Sequence, residues 1–306
     1  MPKYAVLDIG THSIKLHIAE QQENGDWRVV LDSAEISRLG EGFQATGDLQ
    51  PEAMARNVQV LQTMLARLRQ YDVQQVVAVG TMGLRTANNA QAFVHRVQQE
   101  CGLAIEILSG DEEARLISLA VASEFGEEDG GTLVIFDSGG GSTEFIFRRQ
   151  GIVEQRMSVN VGALRYTEQI LTSDPVTPDE FDRAVATIAA DLAKVPLGRS
   201  QIGRLVGLGG IMTNLGAVKH RLAVYDAEVV HGTTLTRQDV TRQLHLYCTR
   251  TIESRKRIAG LQPQRADVIL AGAAIVGEIM RQAHVETATI SDRGLRHGLI
   301  RDRFAG

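Results

Sequence analysis

Cysteine is scarce in this 306-residue chain, which contains only Cys101 and Cys248. Neither residue lies in a C-x-x-C pair or another metal-ligand spacing, so we expect free thiols rather than a disulfide scaffold or a structural zinc site. Long apolar runs are also missing, because no stretch approaches the roughly 18 apolar residues that a membrane helix needs. The amino-terminal residues show no apolar leader. These absences predict a cytoplasmic protein without a membrane partner.

An excess of positive charge is absent as well. The net charge of −5 argues against a nucleic-acid partner or a general polyanion-binding surface. A phosphate-bearing ligand would therefore need locally concentrated cations, which segments 250–257 and 293–303 contain. No G-x-x-x-x-G-K-[ST] P-loop occurs. Aromatic residues make up only 5% of the chain, and no slot for a nucleotide base is evident.

The pattern D-x-G-x-x-S occurs twice, at residues 8–13 and 137–142. An apolar run precedes each copy and a second apolar run follows it, which predicts two β-hairpins. Gly10 and the glycines at 139–141 permit positive φ and leave backbone N–H groups uncovered, so each turn can bind phosphate. One copy would be weak evidence. Two copies in identical register indicate a duplicated phosphate-binding element.

Two strand-to-helix junctions are further candidates for anion contacts. A predicted strand leads to Thr81 and then to a helix that includes Arg85, and a helix N-terminus favours an anion. Gly209 and Gly210 lie in a second, glycine-rich junction. The alternatives are a helix cap at Thr81, a solvent-exposed Arg85, and glycines that only permit close packing.

A third helix start carries an additional carboxylate. Ser109 and Glu112 have the spacing of a capping box, which explains Glu112 but not Glu113. Acidic residues are common in the first turn of a helix. Spacing alone therefore leaves Glu113 open between helix stabilisation and catalysis.

The order of predicted elements indicates an α/β protein with two halves. Each half begins with a hairpin and continues with strands that alternate with helices, and a chain of this length is expected to form two domains. We predict domains at 1–124 and 125–306, with the alternative that the terminal helix at 293–306 completes the first. Asp8 and Asp137 are then expected on opposite walls of one cleft.

Aspartates beside phosphate-binding turns are typical of a Mg²⁺ site. Asp8 and Asp137 are the candidate ligands, and Arg85 would offset phosphate charge. Hydrolysis of a phosphoanhydride also needs a carboxylate that orients water, for which Glu113 and Glu144 are available. A phosphorylated Ser or Thr nucleophile is disfavoured because the sequence shows no flanking base.

The motifs together resemble the exopolyphosphatase and guanosine pentaphosphate phosphohydrolase (Ppx/GppA) family, in order along essentially the whole chain. The resemblance implies the actin-like superfamily fold, with two ribonuclease-H-like α/β domains around an interdomain cleft. The matching segments are 8–13 (DIGTHS), 38–42 (RLGEG), 80–89 (GTMGLRTANN), 109–116 (SGDEEARL), 137–144 (DSGGGSTE), 207–210 (GLGG), 231–232 (HG) and 291–296 (SDRGLR).

The resemblance implies a role for each matching position. Glu113 matches the catalytic carboxylate that activates water, and Arg85 matches a phosphate-binding arginine. Asp137 and Glu144 match the acids of the metal and phosphate site, and Glu144 is also counted as catalytic. Asp8 is expected to contact the metal directly or through water. The remaining expected phosphate-binding residues are Gly10, Thr11, His12, Ser13, Thr81, Gly139, Gly140, Gly141, Ser142, Gly209 and Gly210.

Two positions depart from the family pattern. His12 stands where many members have Asn, and His297 stands where an acid is usual in the terminal helix. The chain also resembles the short members, which lack the additional helical domains of the long ones, so processivity on long chains is not implied.

We therefore expect a Mg²⁺-dependent exopolyphosphatase that releases orthophosphate from inorganic polyphosphate, with a homodimer as a further expectation. The first alternative is a hydrolase that converts pppGpp to ppGpp, which the low aromatic content disfavours. The second alternative is a nucleotide-binding kinase or sensor of the same superfamily, which would need an adenosine pocket after the turn at 207–210.

Overall fold

The structure is a computed structural model that describes residues 1–11, 13–126, 131–198 and 201–304. The chain divides into two compact units, Met1–Ala120 with Leu295–Gly306, and Val121–Gly294. The domain boundary predicted at residue 124 stays a prediction. No helix in the described ranges has the length and apolar character needed to cross a bilayer.

The described residues contain two mixed sheets, one in each unit. The strands are β1 (Lys3–Ile9), β2 (Ser13–Gln21), β3 (Trp27–Ile36), β4 (Gln75–Gly80), β5 (Ile105–Ile107), β6 (Thr132–Ser138), β7 (Thr143–Arg149), β8 (Ile152–Val159), β9 (Ile202–Leu208), β10 (Thr234–Thr236) and β11 (Thr287–Ile290).

Helices follow the strands along both halves of the chain. They are α1 (Phe43–Thr46), α2 (Pro51–Leu68), α3 (Met82–Thr86), α4 (Ala90–Cys101), α5 (Gly110–Phe125), α6 (Ala163–Gln169), α7 (Pro178–Leu192), α8 (Gly209–His220), α9 (Ala227–Val230), α10 (Arg237–Cys248), α11 (Ile252–Arg255), α12 (Ile269–Gln282) and α13 (Leu295–Phe304), with a 3₁₀ turn at Pro263–Arg265.

The two sheets share one topology. In the first unit the order is β3-β2-β1-β4-β5, with β1, β2 and β3 antiparallel and β4 and β5 parallel to β1. In the second unit the order is β10-β11-β9-β6-β7-β8, with β6, β7 and β8 antiparallel and β9 and β11 parallel to β6. Strand β10 adds an antiparallel edge. This repeated order confirms the predicted α/β class with two ribonuclease-H-like domains.

Both faces of the first sheet are buried. Alternate side chains of β1 and β2 point to opposite faces, and each face is covered by an apolar cluster. One face packs on α2 and α4 through residues such as Leu7, Leu16, Leu61 and Phe93. The opposite face buries a second apolar cluster that includes Val6 and residues of α13. The terminal helix is thus part of the core of the first unit.

The core of the second unit is a single large cluster. Phe136 and Phe145 from the sheet and Ile275 from α12 are all buried in it. Helix α12 is rich in small and aliphatic residues and is buried along most of its length, which explains its apolar sequence. The cluster supports β6 and β7, the strands that hold the second D-x-G-x-x-S copy.

Two helix starts follow local sequence signals, and two other helices begin later than the sequence predicts. A proline at the first helical position predicts a helix start at Pro51, where α2 begins. The Thr-Pro-Asp-Glu pattern at 177–180 predicts a capping box, and Thr177 forms one reciprocally with Glu180 at the start of α7. The apolar, small-residue-rich run at 265–282 predicts a helix over that range, but α12 begins only at Ile269 because a 3₁₀ turn precedes it. The terminal helix, predicted at 293–306, begins at Leu295.

Candidate active site

The two copies of D-x-G-x-x-S form hairpins with the same internal hydrogen bond. In the first copy the N–H of Gly10 donates to the carbonyl of Ser13 (3.0 Å), and in the second the N–H of Gly139 donates to the carbonyl of Ser142 (2.9 Å). The strands pair antiparallel on both sides of each turn. The repeated spelling therefore predicts a repeated backbone geometry correctly.

The glycines of these turns do not adopt the positive φ expected of them. None of Gly10, Gly139, Gly140 and Gly141 has a φ in the left-handed region. At Gly10 an added Cβ would lie 3.0 Å from the Ser13 carbonyl oxygen, and at Gly139 it would lie 3.3 Å from that of Ser142. The first glycine of each turn is thus favoured because the chain closes tightly on itself.

The second turn presents exposed backbone N–H groups. The carbonyls of Gly139 and Gly140 accept hydrogen bonds from Ala163 (3.0 Å) and Leu164 (2.9 Å) at the start of α6. In a planar trans peptide the N–H points away from the carbonyl, so the N–H groups of Gly140 and Gly141 point away from α6. Both glycines are exposed. The turn can therefore donate two backbone hydrogen bonds to a phosphate.

Asp137 and Glu144 lie directly opposite each other across this hairpin. They are register partners on β6 and β7, and Asp137 is also the partner of Leu208 on β9. Gly209, the first residue of α8, has a φ of +83°, and a Cβ there would overlap Asp137 Oδ1. The glycine-rich junction is therefore required both by its backbone conformation and by the aspartate beside it.

The carboxylate of Glu144 is oriented by two hydroxyl groups. Ser142 Oγ donates to Glu144 Oε1 at 2.7 Å, and Ser158 Oγ donates to the same oxygen at 2.9 Å. Ser142 thus has a visible role in positioning an acid. The sequence predicts Ser142 only as a phosphate contact, and it contains no signal for Ser158.

Arg265 is a site residue that sequence reasoning misses. Its guanidinium lies against Gly210, where a Cβ would overlap it, and Asp137 favours its charged form. Burial lowers the pKa of Arg265, and the charges of Asp137 and Asp267 oppose that shift. Because Arg265 follows Asp137 by more than a hundred residues and lies in no motif, only the tertiary structure reveals it. Its charge makes it a further candidate for phosphate binding.

In the first unit, Asp8 pairs with a lysine. Asp8 is buried, and its Oδ2 lies 3.6 Å from Lys15 Nζ on the opposing strand. The two hairpins differ at this point, because the second has the acid Glu144 where the first has Lys15. The lysine offsets the charge of Asp8, which makes it a weaker candidate than Asp137 for direct metal binding.

Thr11 contacts two glycines from other segments of the chain, Gly40 and Gly83. Its carbonyl accepts a hydrogen bond from the N–H of Gly40 (2.9 Å), and a Cβ on Gly83 would lie 2.8 Å from Thr11 Oγ1. The RLGEG segment and α3 thus fix the first turn. Ser13 begins β2, and the predicted contact at His12 lies outside the described residues.

Arg85 and Glu113 are brought together in the first unit. Arg85 Nη1 donates to Glu113 Oε2 at 3.1 Å and to the carbonyl of Leu108 at 2.8 Å. Each side chain is partly exposed, at 30% for Arg85 and 25% for Glu113. The structure therefore joins the predicted arginine to the predicted catalytic acid, which the sequence could not show.

The surroundings of Thr81 differ from the prediction. Helix α3 has only five residues and ends at Thr86, so it has little dipole to attract an anion. Thr81 makes no side-chain cap, and its N–H donates to the Ile9 carbonyl at 3.4 Å. Thr81 therefore connects the end of β4 to the end of β1, where the first turn begins. Capping by Thr81, the alternative interpretation, is wrong.

The donor set of the second unit fits Mg²⁺. In the described part of the chain, Asp137 and Glu144 belong to no group of three or more closely spaced His, Cys, Asp and Glu ligands. Magnesium is commonly bound by one or two carboxylates, with water and substrate phosphate as the other ligands. Two adjacent carboxylates beside exposed N–H donors match that chemistry.

Comparison with known proteins assigns the family. Residues 17–305 match the Ppx/GppA phosphatase family. The chain is 31% identical over 315 residues to exopolyphosphatase 2 of Mycobacterium tuberculosis, covering 98% of both chains. It superposes on the crystal structure of the type II variant of the Aquifex aeolicus Ppx/GppA phosphatase with a TM-score of 0.87 and 31% identity, covering 99% of this chain and 100% of that one.

The chain therefore belongs to the Ppx/GppA phosphatase family, as its motifs predict. Two other relatives are longer. The chain is 28% identical to a guanosine-5'-triphosphate,3'-diphosphate pyrophosphatase of Photobacterium profundum, covering 98% of this chain and 59% of that protein. It is also 28% identical to a bifunctional 3-dehydroquinate synthase/phosphatase of Fusobacterium nucleatum, of which it spans 43%.

Proposed function

We propose that this protein is an exopolyphosphatase, which hydrolyses the terminal phosphoanhydride bond of inorganic polyphosphate and releases orthophosphate. The observation that carries the proposal is the second hairpin. It places Asp137 opposite Glu144 and beside the exposed N–H groups of Gly140 and Gly141. One hairpin thus combines carboxylates that can bind a metal with neutral N–H donors that can bind phosphate.

The phosphate would be bound mainly by cationic side chains and by backbone N–H donors. Within the second unit we assign this role to the N–H groups of Gly140 and Gly141 and to Arg265. Preorganised donors of this kind stabilise the charge on the phosphoryl oxygens in the transition state. Asp137 and Glu144 would hold Mg²⁺, and a bound Mg²⁺ would offset part of the negative charge of the phosphate.

Glu113 is the proposed general base. In the proposed reaction it accepts a proton from water, whose oxygen forms a bond to the terminal phosphorus. The bond between that phosphorus and the bridging oxygen breaks, and the shortened polyphosphate leaves with the electron pair. Arg85 orients the Glu113 carboxylate through the 3.1 Å hydrogen bond.

Two observations support polyphosphate as the substrate. The relative whose length this chain matches is named exopolyphosphatase 2, and only 5% of residues are aromatic, which leaves few side chains to stack on a guanine base. The relative named as a pppGpp-type pyrophosphatase is longer than this chain. Removal of the 5'-terminal phosphate of pppGpp is the alternative that uses the same residues.

The test is orthophosphate release by the purified full chain with short polyphosphate, long polyphosphate, pppGpp and ATP, each with and without Mg²⁺. We expect the highest kcat/KM on polyphosphate and loss of activity when EDTA removes Mg²⁺. Glu113→Gln should reduce kcat by about 100-fold or more, as expected for loss of a general base. Its matched control is Glu112→Gln, the neighbouring acid that pairs with Arg115 (Nε–Oε2 2.8 Å).

The outcomes separate the substrate from the chemistry. Release from pppGpp without release from polyphosphate would assign the alternative substrate and keep the site. Equal activity of Glu113→Gln and wild type would refute Glu113 as the base. No orthophosphate from any of the four substrates would refute the proposed function.

A further inference from the structure

A cluster of two histidines and one aspartate lies in the first unit, apart from the residues assigned above. We propose that His17, Asp32 and His297 bind a divalent transition-metal ion of the Zn²⁺ type. The three residues come from β2, β3 and α13, on the face of the first sheet that packs against the terminal helix.

The positions of His17 and Asp32 follow from the sheet register. They are direct cross-strand partners on β2 and β3, so their side chains project from the same face. His297 reaches them from α13, with its ring centroid 4.3 Å from that of His17. One ligand atom from each of the three residues lies within 4.8 Å of the other two.

The separation between His17 and Asp32 is close to that of two ligands in a tetrahedral site. His17 Nδ1 lies 3.7 Å from Asp32 Oδ2, which is longer than an ordinary N–H···O hydrogen bond. Two ligands at ordinary Zn–N and Zn–O distances in a tetrahedron are about 3.3–3.5 Å apart. A shift of a few tenths of an ångström would therefore bring this pair to a common ion. Three protein ligands leave the fourth position to water.

Arg296 holds the aspartate in place. Its Nε donates to Asp32 Oδ1 (2.9 Å) and its Nη2 donates to Oδ2 (2.7 Å). Each carboxylate oxygen has two acceptor positions, so Oδ2 can bind a metal ion while it accepts from Arg296. Hydrogen bonds of this kind commonly orient metal-binding carboxylates. Arg296 is thus a positioning residue in the proposal.

Burial and ligand type determine which ion the site would select. His17 is only 1% exposed and the Asp32 side chain 26% exposed, so an ion there would be largely removed from solvent. Imidazole nitrogens favour Zn²⁺, Co²⁺, Ni²⁺ and Cu²⁺, whereas Mg²⁺ favours oxygen ligands. The site would therefore bind a different metal from the one proposed at Asp137 and Glu144.

Metal binding here would link distant parts of the chain. His17 and Asp32 belong to the amino-terminal hairpin and its edge strand, and His297 belongs to the helix that returns to the first unit after the whole second unit. An ion shared by them would fasten α13 to the sheet. The expected consequence is a more stable first unit, independent of catalysis.

The test uses untagged, metal-free full-length protein and Co²⁺ as a spectroscopic probe. We expect visible d–d absorption that saturates at one Co²⁺ per chain, persists in excess Mg²⁺ and disappears when Zn²⁺ displaces the cobalt. His297→Gln should weaken Co²⁺ binding by at least about 100-fold. His95→Gln, at an exposed histidine of α4 in the same unit, should leave binding unchanged. Zn²⁺ should raise the Tm of wild type and not that of His297→Gln.

Two results would overturn the proposal. One is the absence of a cobalt spectrum in folded wild type, which would leave the cluster as a hydrogen-bonded packing element. The other is an unchanged spectrum in folded His297→Gln. His17→Gln adds a second ligand test when it folds, but the His297 variant is sufficient because that side chain is only partly buried.

Discussion

The carboxylate of Asp137 occupies the space that a side chain on Gly209 would need. Oδ1 of the aspartate would overlap a Cβ at that position, and Gly209 has a φ of +83°. The glycine-rich junction between β9 and α8 is therefore matched to one acid on the neighbouring strand. This relationship supports a direct test of the role of Asp137.

Gly209→Ala is expected to displace Asp137 and reduce phosphate release by about 100-fold or more, comparable to removing one preorganised catalytic group. The measurement is kcat on polyphosphate over a range of Mg²⁺ concentrations. Gly25→Ala is the matched control, because Gly25 has a similar φ of +85° but nothing within 4 Å of an added Cβ. Equal activity of the two variants would show that Asp137 tolerates the displacement.

Arg85→Lys is expected to lower kcat/KM by about 10–100-fold. Lysine keeps the charge but cannot reproduce the planar fork of arginine, so the contacts to Glu113 (3.1 Å) and to the Leu108 carbonyl (2.8 Å) cannot both be kept. Steady-state kinetics on polyphosphate measure the effect. Arg96→Lys, in the exposed helical ion pair with Glu100, serves as the control and should be silent.

Glu180→Gln is expected to lower the thermal stability of the second unit at neutral pH. The pKa of Glu180 is lowered to about 2, mainly by the hydrogen bond from the backbone N–H of Thr177. The hydroxyls of Thr172, Thr177 and Ser173 also lower it, whereas burial opposes the shift. The ionised form therefore stabilises the fold fully above the unfolded pKa near 4.5, and this contribution is lost as pH falls through 2.

The corresponding measurement is Tm from pH 7 to pH 2 for wild type and Glu180→Gln. The difference between them should be largest above pH 5 and shrink as the pH falls. Asp179→Asn, an exposed first-turn acid of the same helix, should change Tm only slightly. A difference that does not vary with pH would contradict the role assigned to the Glu180 carboxylate.

Gly298→Ala is expected to destabilise the first unit by about 1–3 kcal/mol, the range for overpacking. A Cβ at this position in α13 would overlap the backbone carbonyl of Leu116 in α5, and backbone cannot move aside as a side chain can. Calorimetric unfolding measures the change. Gly277→Ala in α12 is the control, since its Cβ would lie 3.3 Å from a methyl of Val240. That change should be neutral or stabilising by up to about 1 kcal/mol.

The amino-acid sequence by itself determined the features that depend on local order. The two D-x-G-x-x-S copies predict two hairpins with equivalent hydrogen bonds, and the residues at 177–180 predict the capping box of α7. Strand and helix periodicity, together with the motifs, predict the α/β class and the family. These signals are readable because turns, caps and amphipathic faces are set by residues close together in the chain.

Only the tertiary structure decided which distant residues share a site. It places Arg265 against Gly210, joins Arg85 to Glu113, and brings His297 to His17 and Asp32. It also shows that Gly209, rather than the glycines of the hairpin turns, has the left-handed conformation. Such contacts depend on strand register and helix packing between segments far apart in the chain, and neither spacing nor composition contains that information.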